Sequence, residues 1–292
     1  MVLELKRGSR TAQVDTQGGE LTSYRDENGL EYIWTGDAAY WTGHNPLLFP
    51  IVGGLRDGTV CVDGRAVSMK RHGFARTSVF SVVGHGEDWA ELELRESPAT
   101  LDLYPRPFRL TVHQQLTDTG FATAFTVTNT GDRAMPFCLG AHTGFRCPLE
   151  AGESFSDYEI LFDEKETCPT LVPDVNGLDP ARTRPCLEDT DVLPLDYRYF
   201  DELDTLIFQG LRSQSVRLRS KKSGRGVRMT FPGFPVLALW SAPGKAAPYL
   251  CIEPWHGLPA VAGEGPELAD KAFCITLAPG ESRALGYRVD TL

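Results

Sequence analysis

Apolar and polar residues alternate with a period of two in many short segments of this 292-residue chain. Each segment has the length of a β-strand and is bounded by Gly, Pro, Asn or Asp, which is typical of strands separated by turns. The clearest segments are residues 2–5, 91–94, 108–116, 121–129, 215–219, 226–231, 236–240, 273–277 and 283–289. At most one helical turn is predicted, near residues 199–206.

Short strands without interleaved helices favour antiparallel sheets packed face to face over a parallel α/β sheet. The expected fold class is therefore all-β. Neither a fixed-period repeat nor a low-complexity linker divides the chain, so we expect a single domain over residues 1–292.

Residues 163–198 depart from this pattern, with little alternation and many acidic residues. This segment contains five prolines, at positions 169, 173, 180, 185 and 194. A stretch of this length without regular structure is predicted to be a surface excursion or a functional loop. It would cover a sheet edge, close over a ligand site as a flap, or form a dimer contact.

Acidic side chains outnumber basic ones by 39 to 29, which gives a formal net charge of −10. This charge repels nucleic acid and anionic lipid, so we expect neither as a partner, and a neutral small molecule fits better. Residues 1–10 lack the apolar core of a secretory signal, and no apolar run is long enough to span a membrane. The seven cysteines are scattered without a C-x-x-C pair, and a cytoplasmic protein with reduced thiols is expected.

Four ionisable residues occur in apolar or aromatic surroundings and are candidates for chemistry. His142 lies among small residues that leave room for a ligand, although a buried packing histidine would look the same. Glu253 follows Ile252 and needs a partner in any buried position, either a ligand or an arginine. The other two are His72, just before Gly73 in a turn-like context, and Asp204, which follows an aromatic-rich stretch.

Several motifs together resemble the aldose 1-epimerase (galactose mutarotase) family, and most closely its LacX-like branch. They occur in the family's order across residues 45–280, so chance agreement is improbable. The motifs are Asn-Pro-Leu-Leu-Phe-Pro-Ile-Val-Gly at 45–53, Asp-Gly at 57–58, His-Gly-Phe-Ala-Arg at 72–76, Leu-Gly-Ala-His at 139–142, Ile-Glu-Pro-Trp at 252–255 with Gly257, and Lys271 ahead of Leu-Ala-Pro-Gly at 277–280.

The resemblance implies a large antiparallel β-sandwich, the galactose mutarotase-like supersandwich, with a sugar site on a concave sheet face. It implies that His142 is the general acid and Glu253 the general base. It further implies that His72 binds the sugar near its ring oxygen and that Asp204 holds sugar hydroxyls, the latter through a looser motif. The function implied is cofactor-free interconversion of the α and β anomers of a free aldose such as galactose or glucose.

The reaction itself requires an acid and a base. One group takes a proton from the anomeric hydroxyl while the other gives a proton to the ring oxygen, so that the ring opens and recloses on the other face. Each positioned group contributes about a hundred- to ten-thousand-fold. We expect an apolar site to raise the pKa of Glu253, and nearby carboxylates to raise the pKa of His142.

Position 54 departs from the family's pattern. The family usually places a basic residue directly after the glycine at position 53, where it contacts sugar hydroxyls, and here that position is Gly54. Either Arg56 takes over this contact or the contact is lost, which bears on sugar preference.

Three alternatives remain open at the sequence level. The substrate is a hexose 6-phosphate held by Arg76 or Arg56, since a guanidinium suits phosphate. The protein binds or senses sugar without catalysis, a reading motivated by Gly54. Or His72, His142 and Glu253 bind zinc, which no local motif of the H-E-x-x-H type supports, so neither a metal nor a cofactor is expected.

Overall fold

The computed structural model describes residues 1–174 and 177–292, and nearly all of its regular structure is β-sheet. The strands are β1 Val2–Arg7, β2 Arg10–Asp15, β3 Leu21–Arg25, β4 Leu47–Leu48, β5 Thr59–Val62, β6 Arg65–Ser68, β7 Ser81–His85, β8 Trp89–Arg95, β9 Phe108–Leu116, β10 Gly120–Asn129, β11 Met135–Phe137, β12 Leu139–Ala141, β13 Thr143–Arg146, β14 Tyr158–Asp174, β15 Gly177–Pro194, β16 Thr205–Gln209, β17 Ser215–Ser220, β18 Gly226–Thr230, β19 Val236–Trp240, β20 Tyr249–His256, β21 Ile275–Leu277 and β22 Ser282–Thr291.

Fifteen of these strands form one sheet, in the order β4-β12-β20-β19-β16-β14-β17-β18-β22-β10-β9-β8-β7. β13 also pairs with β20, and β15 pairs with β14. Among the described residues every pair of these strands is antiparallel, for example β9 with β10 and β19 with β20. The all-β prediction is confirmed.

Side-chain alternation explains how the strands form. Along β9 the residues alternate strictly between buried and half-buried, so Phe108, Leu110 and Val112 enter the core while the polar residues between them face outward. The main core contains residues contributed from Leu5 near one end of the chain to Val289 near the other. Burial of one apolar face on each strand stabilises the sheet and fixes its register.

The prediction that residues 163–198 lack regular structure is wrong. Most of the segment forms the long hairpin of β14 and β15, with residues 175 and 176 lying outside the described residues. The pairing is broken by four register shifts, so the alternation that marks other strands is obscured. β14 also pairs with β16 and β17 inside the large sheet, so the segment does not merely cover an edge.

Two six-residue α-helices complete the described structure, α1 at Pro98–Leu103 and α2 at Arg198–Leu203. α2 confirms the helical turn predicted there. α1 was not predicted, although Ser97 as the N-cap and Pro98 in the first turn are recognisable start signals. Neither helix is long enough to cross a membrane.

Candidate active site

Strand register places His142 directly opposite Glu253. β12 and β13 pair with β20 in one continuous antiparallel register, in which Thr143 faces Ile252. His142 occupies the single position between β12 and β13, so the same register sets it across from Glu253. Directly opposed residues point to the same face of a sheet, and the two distant candidates therefore meet.

This pair lies on the sheet face that turns away from the main core. Leu250 and Ile252 of β20 belong to the main core. Cys251 and Glu253 alternate with them and point to the other face, where Cys251 packs in a smaller cluster with Trp34 and Tyr249.

The imidazole and the carboxyl group are close and shielded from water. His142 Nε2 lies 3.3 Å from Glu253 Oε1, and the two residues are 7% and 1% exposed. The remaining polar atoms of the pair, His142 Nδ1 and Glu253 Oε2, have no hydrogen-bond partner in the described structure. Buried polar atoms without partners are rare in proteins, and they indicate that a polar ligand belongs here.

His72 stands beside the pair, in the position predicted for a substrate-binding histidine. Its ring is perpendicular to that of His142, with the ring centroids 5.7 Å apart. The backbone N–H of Gly53 donates to His72 Nδ1 over 3.1 Å, so the neutral ring carries its proton on Nε2. His72 has a φ of 69°, and Gly73 after it a φ of 71°, which turns the chain sharply at this point.

Two tryptophans enclose His142. Trp41 stacks on the imidazole with ring centroids 4.9 Å apart, and Trp240 meets it edge-on at 5.5 Å. Trp41 was not predicted, because nothing local to its loop points to chemistry. Phe74, within the motif at residues 72–76, packs in the main core.

Charged residues surround the pair. Arg76 is half-buried and acts electrostatically on Glu253, and it makes no hydrogen bond or ion pair within the described residues. Arg71 is exposed and acts on both members of the pair, a role that was not predicted. Asp204 is exposed, with a φ of 62°, and its negative charge also reaches Glu253.

Arg56 is not brought into this group. Its guanidinium donates to the carbonyl oxygen of Val261 over 2.8 Å, on the exposed 3-10 turn at Arg56–Gly58. In this conformation Arg56 therefore makes a structural contact with the backbone at Val261.

Burial drives both members of the pair towards their neutral forms. It raises the pKa of Glu253 well above its usual range; Asp204 adds to this rise, while Trp255, Arg76 and Arg71 oppose it. Trp255 lowers the pKa of Glu253 through its indole N–H, although this N–H makes no hydrogen bond of standard geometry. Burial, together with the positive charges of Arg76 and Arg71, lowers the pKa of His142 to about 3.

The expected rise in the pKa of Glu253 is confirmed, and the expected rise for His142 is wrong. Loss of hydration and two arginine charges outweigh any carboxylate near the imidazole, because the nearest carboxyl group is itself protonated. The pKa of His72 is likewise lowered by burial and by its cationic neighbours. These directions favour a protonated carboxyl group on Glu253 beside a neutral imidazole on His142.

Comparison with known proteins identifies the family. A family model described as aldose 1-epimerase matches residues 1–289. The chain belongs to the aldose 1-epimerase family. Two Lactococcus lactis subsp. lactis relatives, the plasmid and chromosomal LacX proteins, are each 38% identical over 300 residues, covering 100% of both chains.

Solved structures agree with this aldose 1-epimerase assignment. A galactose mutarotase related enzyme from Lactobacillus acidophilus is 27% identical, with a TM-score of 0.94 over 100% of this chain and 97% of that one. A galactose mutarotase-like protein from Lactobacillus casei is 28% identical, with a TM-score of 0.93 over 100% of both chains. The galactose mutarotase-like β-sandwich and the LacX resemblance are both confirmed.

Position 54, where this member of the aldose 1-epimerase family departs from the usual pattern, has room for a side chain. A Cβ atom on Gly54 would meet nothing within 4 Å, and its φ is not in the left-handed region. Gly53 differs sharply, because its φ is 69° and a Cβ atom there would lie 2.4 Å from Pro259. The backbone therefore requires glycine at 53 but not at 54.

Proposed function

We propose that the protein is a mutarotase that interconverts the α and β anomers of a free aldose such as galactose or glucose. The observation that carries the proposal is the facing pair of His142 and Glu253, which holds one exchangeable proton in a water-excluded setting. His72, Trp240 and Asp204 supply the polar, aromatic and acidic contacts that a sugar requires.

One proton is sufficient for the whole cycle. When the ring opens, the protonated partner gives its proton to the ring oxygen while the other partner takes one from the anomeric hydroxyl. The two partners have then exchanged roles, and ring closure on the other face of the aldehyde returns the proton. Both reacting oxygens are bonded to the same carbon, so neighbouring side chains reach both of them.

The order of roles follows from where the proton lies before sugar binds. The family resemblance implies that His142 is the acid and Glu253 the base, whereas the raised pKa of Glu253 and the lowered pKa of His142 favour a proton on Glu253. Polar sugar hydroxyls that enter the site stabilise the carboxylate and favour transfer of this proton across the 3.3 Å gap. The reaction then proceeds with His142 as the acid and Glu253 as the base, as the family resemblance implies.

Access to the pair requires movement of the loop that carries Trp41. His142 and Glu253 are shielded in this conformation, and surface cavities of 270 to 710 Å³ elsewhere on the molecule contain neither of them. The loop is held by Lys245, whose ammonium group donates to the carbonyl oxygens of Ala39 and Tyr40 at 3.0 Å each, and by Trp34, whose indole N–H donates to the carbonyl oxygen of Trp41 over 2.8 Å. Opening the loop breaks these contacts and the stacking of Trp41 on His142.

Polarimetry on freshly dissolved α-anomers tests the proposal. We expect the protein to accelerate mutarotation, and Glu253→Gln or His142→Asn to lower the rate about a hundred- to ten-thousand-fold with the fold intact. His113→Asn is the matched control, since His113 is a half-exposed histidine on β9 that pairs with Glu91. No acceleration over buffer with any of several aldoses would exclude catalysis and favour a sugar-binding protein.

A hexose 6-phosphate is the second candidate substrate. Arg76 and Arg71 favour it, because both lie near the pair and form no ion pair within the described residues. A guanidinium group without a partner is suited to phosphate. Comparing rates with glucose and glucose 6-phosphate, in wild type and in Arg71→Ala, separates the two substrates.

A further inference from the structure

Cys251 is a third potential ligand atom beside the proposed acid and base. It lies two residues before Glu253 on β20 and faces the same side of the sheet, with Trp240 opposite it on β19 and Gly144 opposite it on β13. Its thiol is fully buried. The proposed reaction assigns it no role, and no local pattern in the sequence points to it.

The three side chains form a compact set of donor atoms. A ring nitrogen of His142, the Sγ of Cys251 and a carboxyl oxygen of Glu253 all lie within 4.8 Å of one another. His142 Nε2 and Glu253 Oε1 are 3.3 Å apart. Zinc binds nitrogen and oxygen at roughly 2.0–2.2 Å and sulfur at about 2.3 Å, so tetrahedral donors sit roughly 3.3–3.8 Å apart. Small side-chain shifts would therefore bring the three donors around one ion.

The chemical types of the donors suit zinc. Imidazole nitrogen, thiolate sulfur and carboxylate oxygen are its usual ligands in proteins. The thiol and the carboxyl group must lose their protons to bind, so zinc binding releases protons and is pH-dependent.

Glu253 Oε2 is the independent indication of a ligand. It is a buried oxygen without a hydrogen-bond partner, on a residue that is 1% exposed. A sugar hydroxyl or a metal ion would each satisfy it. Of the groups in the site, only the Cys251 thiol favours a metal ion over a sugar hydroxyl, because sulfur is a poor hydrogen-bond partner for sugar and a strong ligand for soft metals.

We propose that His142, Cys251 and Glu253 bind Zn²⁺ and that this ion and a sugar exclude each other. Three protein ligands leave one position open to water, as in an exchangeable rather than a structural zinc site. The metal occupies the lone pairs that proton transfer needs, so its binding stops epimerisation. The mutual exclusion of zinc and sugar rests on the proposed function, whereas zinc binding does not. This ligand set contains Cys251 in place of the His72 considered from the sequence.

Cobalt spectroscopy tests the binding. Adding Co²⁺ to the purified protein should give a near-ultraviolet thiolate-to-cobalt charge-transfer band, and Zn²⁺ should remove it by displacement. Cys251→Ser should abolish the band, and Glu253→Gln should weaken binding at least about tenfold. Cys274→Ser is the matched control, because Cys274 is a half-buried thiol whose Sγ contacts the Phe137 carbonyl outside this site.

Each outcome is decisive. No charge-transfer band in wild type, or a band lost in Cys274→Ser but retained in Cys251→Ser, overturns the zinc site. If a variant fails to fold, the wild-type spectra alone show whether the charge-transfer band is present. If mutarotation is observed, Zn²⁺ should inhibit it competitively with sugar, and failure to inhibit overturns the exclusion. If mutarotation is not observed, the cobalt spectra still test metal binding independently.

Discussion

At the scale of single residues, the proposed chemistry depends on the shifted protonation of His142 and Glu253. The acid needs its proton and the base needs to be free of one, and both conditions hold between the lowered pKa of His142 and the raised pKa of Glu253. Above the pKa of Glu253 the pair loses its proton. Below about pH 3 both groups are protonated and no base remains.

We therefore predict an unusual pH profile. The value of kcat/KM, corrected for buffer-catalysed mutarotation, should stay level from about pH 7 down to about pH 5, without the limb near 6.5 of an ordinary histidine. It should fall on the alkaline side as Glu253 loses its proton. An acid limb centred near pH 6.5 would show that the imidazole titrates normally in the free enzyme.

Gly54 gives a second prediction at this scale. Gly54→Arg should leave the melting temperature nearly unchanged, because its Cβ atom meets open space. If the family's basic residue acts on sugar hydroxyls, the variant should lower KM several-fold with little change in kcat, since the contact strengthens binding before and during reaction alike. Gly53→Ala is the matched control and should destabilise the fold by contact with Pro259. An unchanged KM would mean that Gly54 costs this protein no sugar contact.

The sequence singled out His142 and Glu253 as the proposed acid and base, but it did not reveal their surroundings. His142 and Glu253 were recognisable because ionisable residues embedded among apolar ones need a partner or a task. Arg71, Trp41 and Cys251 escaped because their relevance comes from spatial proximity alone. The wrong direction for the pKa of His142 has the same cause, since the two arginines near it are 66 and 71 residues away in the chain.

At the scale of elements, the turn that carries His72 is held by a close backbone approach. Gly73 has a φ of 71°, and a Cβ atom on it would lie 2.2 Å from the carbonyl oxygen of Phe49. The N–H of Phe74 donates to that same oxygen. This contact fixes the segment of residues 71–76 against the end of β4, and it thereby places His72 beside His142.

Gly73→Ala should accordingly destabilise the protein more than an ordinary turn substitution. Gly64→Ala is the control, because Gly64 has a similar φ of 74° but open space around its Cβ position. Left-handed strain alone costs roughly 1–2 kcal/mol in either variant. The clash at Gly73 should add about 1–3 kcal/mol, measured by urea denaturation. Equal losses in the two variants would contradict a tightly packed turn.

Elements with clean alternation were predicted well, and those without it were not. β9 and β10 have the predicted positions because each buries one face only, which the sequence displays directly. The hairpin of β14 and β15 was missed because bulges shift its register four times and prolines interrupt its hydrogen bonding. Pairing with a neighbouring strand, rather than local pattern, decides the structure there.

At the scale of the whole molecule, buried titratable groups set the pH dependence of stability. His72, His142 and His256 have lowered pKa values, so the unfolded chain takes up protons below about pH 6.5 that the folded protein does not. Their contribution to stability is lost as pH falls through this range. Glu253 acts in the opposite sense, because its pKa is raised and its contribution is lost as pH rises.

The contributions of these groups predict a stability maximum near pH 6.5. Each net proton changes the free energy of unfolding by about 1.4 kcal/mol per pH unit, and three histidines outweigh one glutamate on the acid side. Above about pH 6.5 the histidines are neutral in both the folded and the unfolded state, and the raised pKa of Glu253 makes stability decline as pH rises. Urea denaturation of wild type and Glu253→Gln at three pH values checks this, with the decline absent in the variant. A wild-type stability that rises steadily to about pH 8 would contradict it.

The placement of the reacting pair by β12, β13 and β20 has one more consequence. Side chains on a strand alternate between the two faces of the sheet. A shift of β20 by one position would therefore place the Glu253 carboxylate in the apolar core and turn Ile252 towards the proposed sugar site. The proposed chemistry therefore depends directly on strand alignment. If the protein is a mutarotase as proposed, we expect insertion or deletion of one amino acid within β20 to abolish turnover even where the sandwich still assembles.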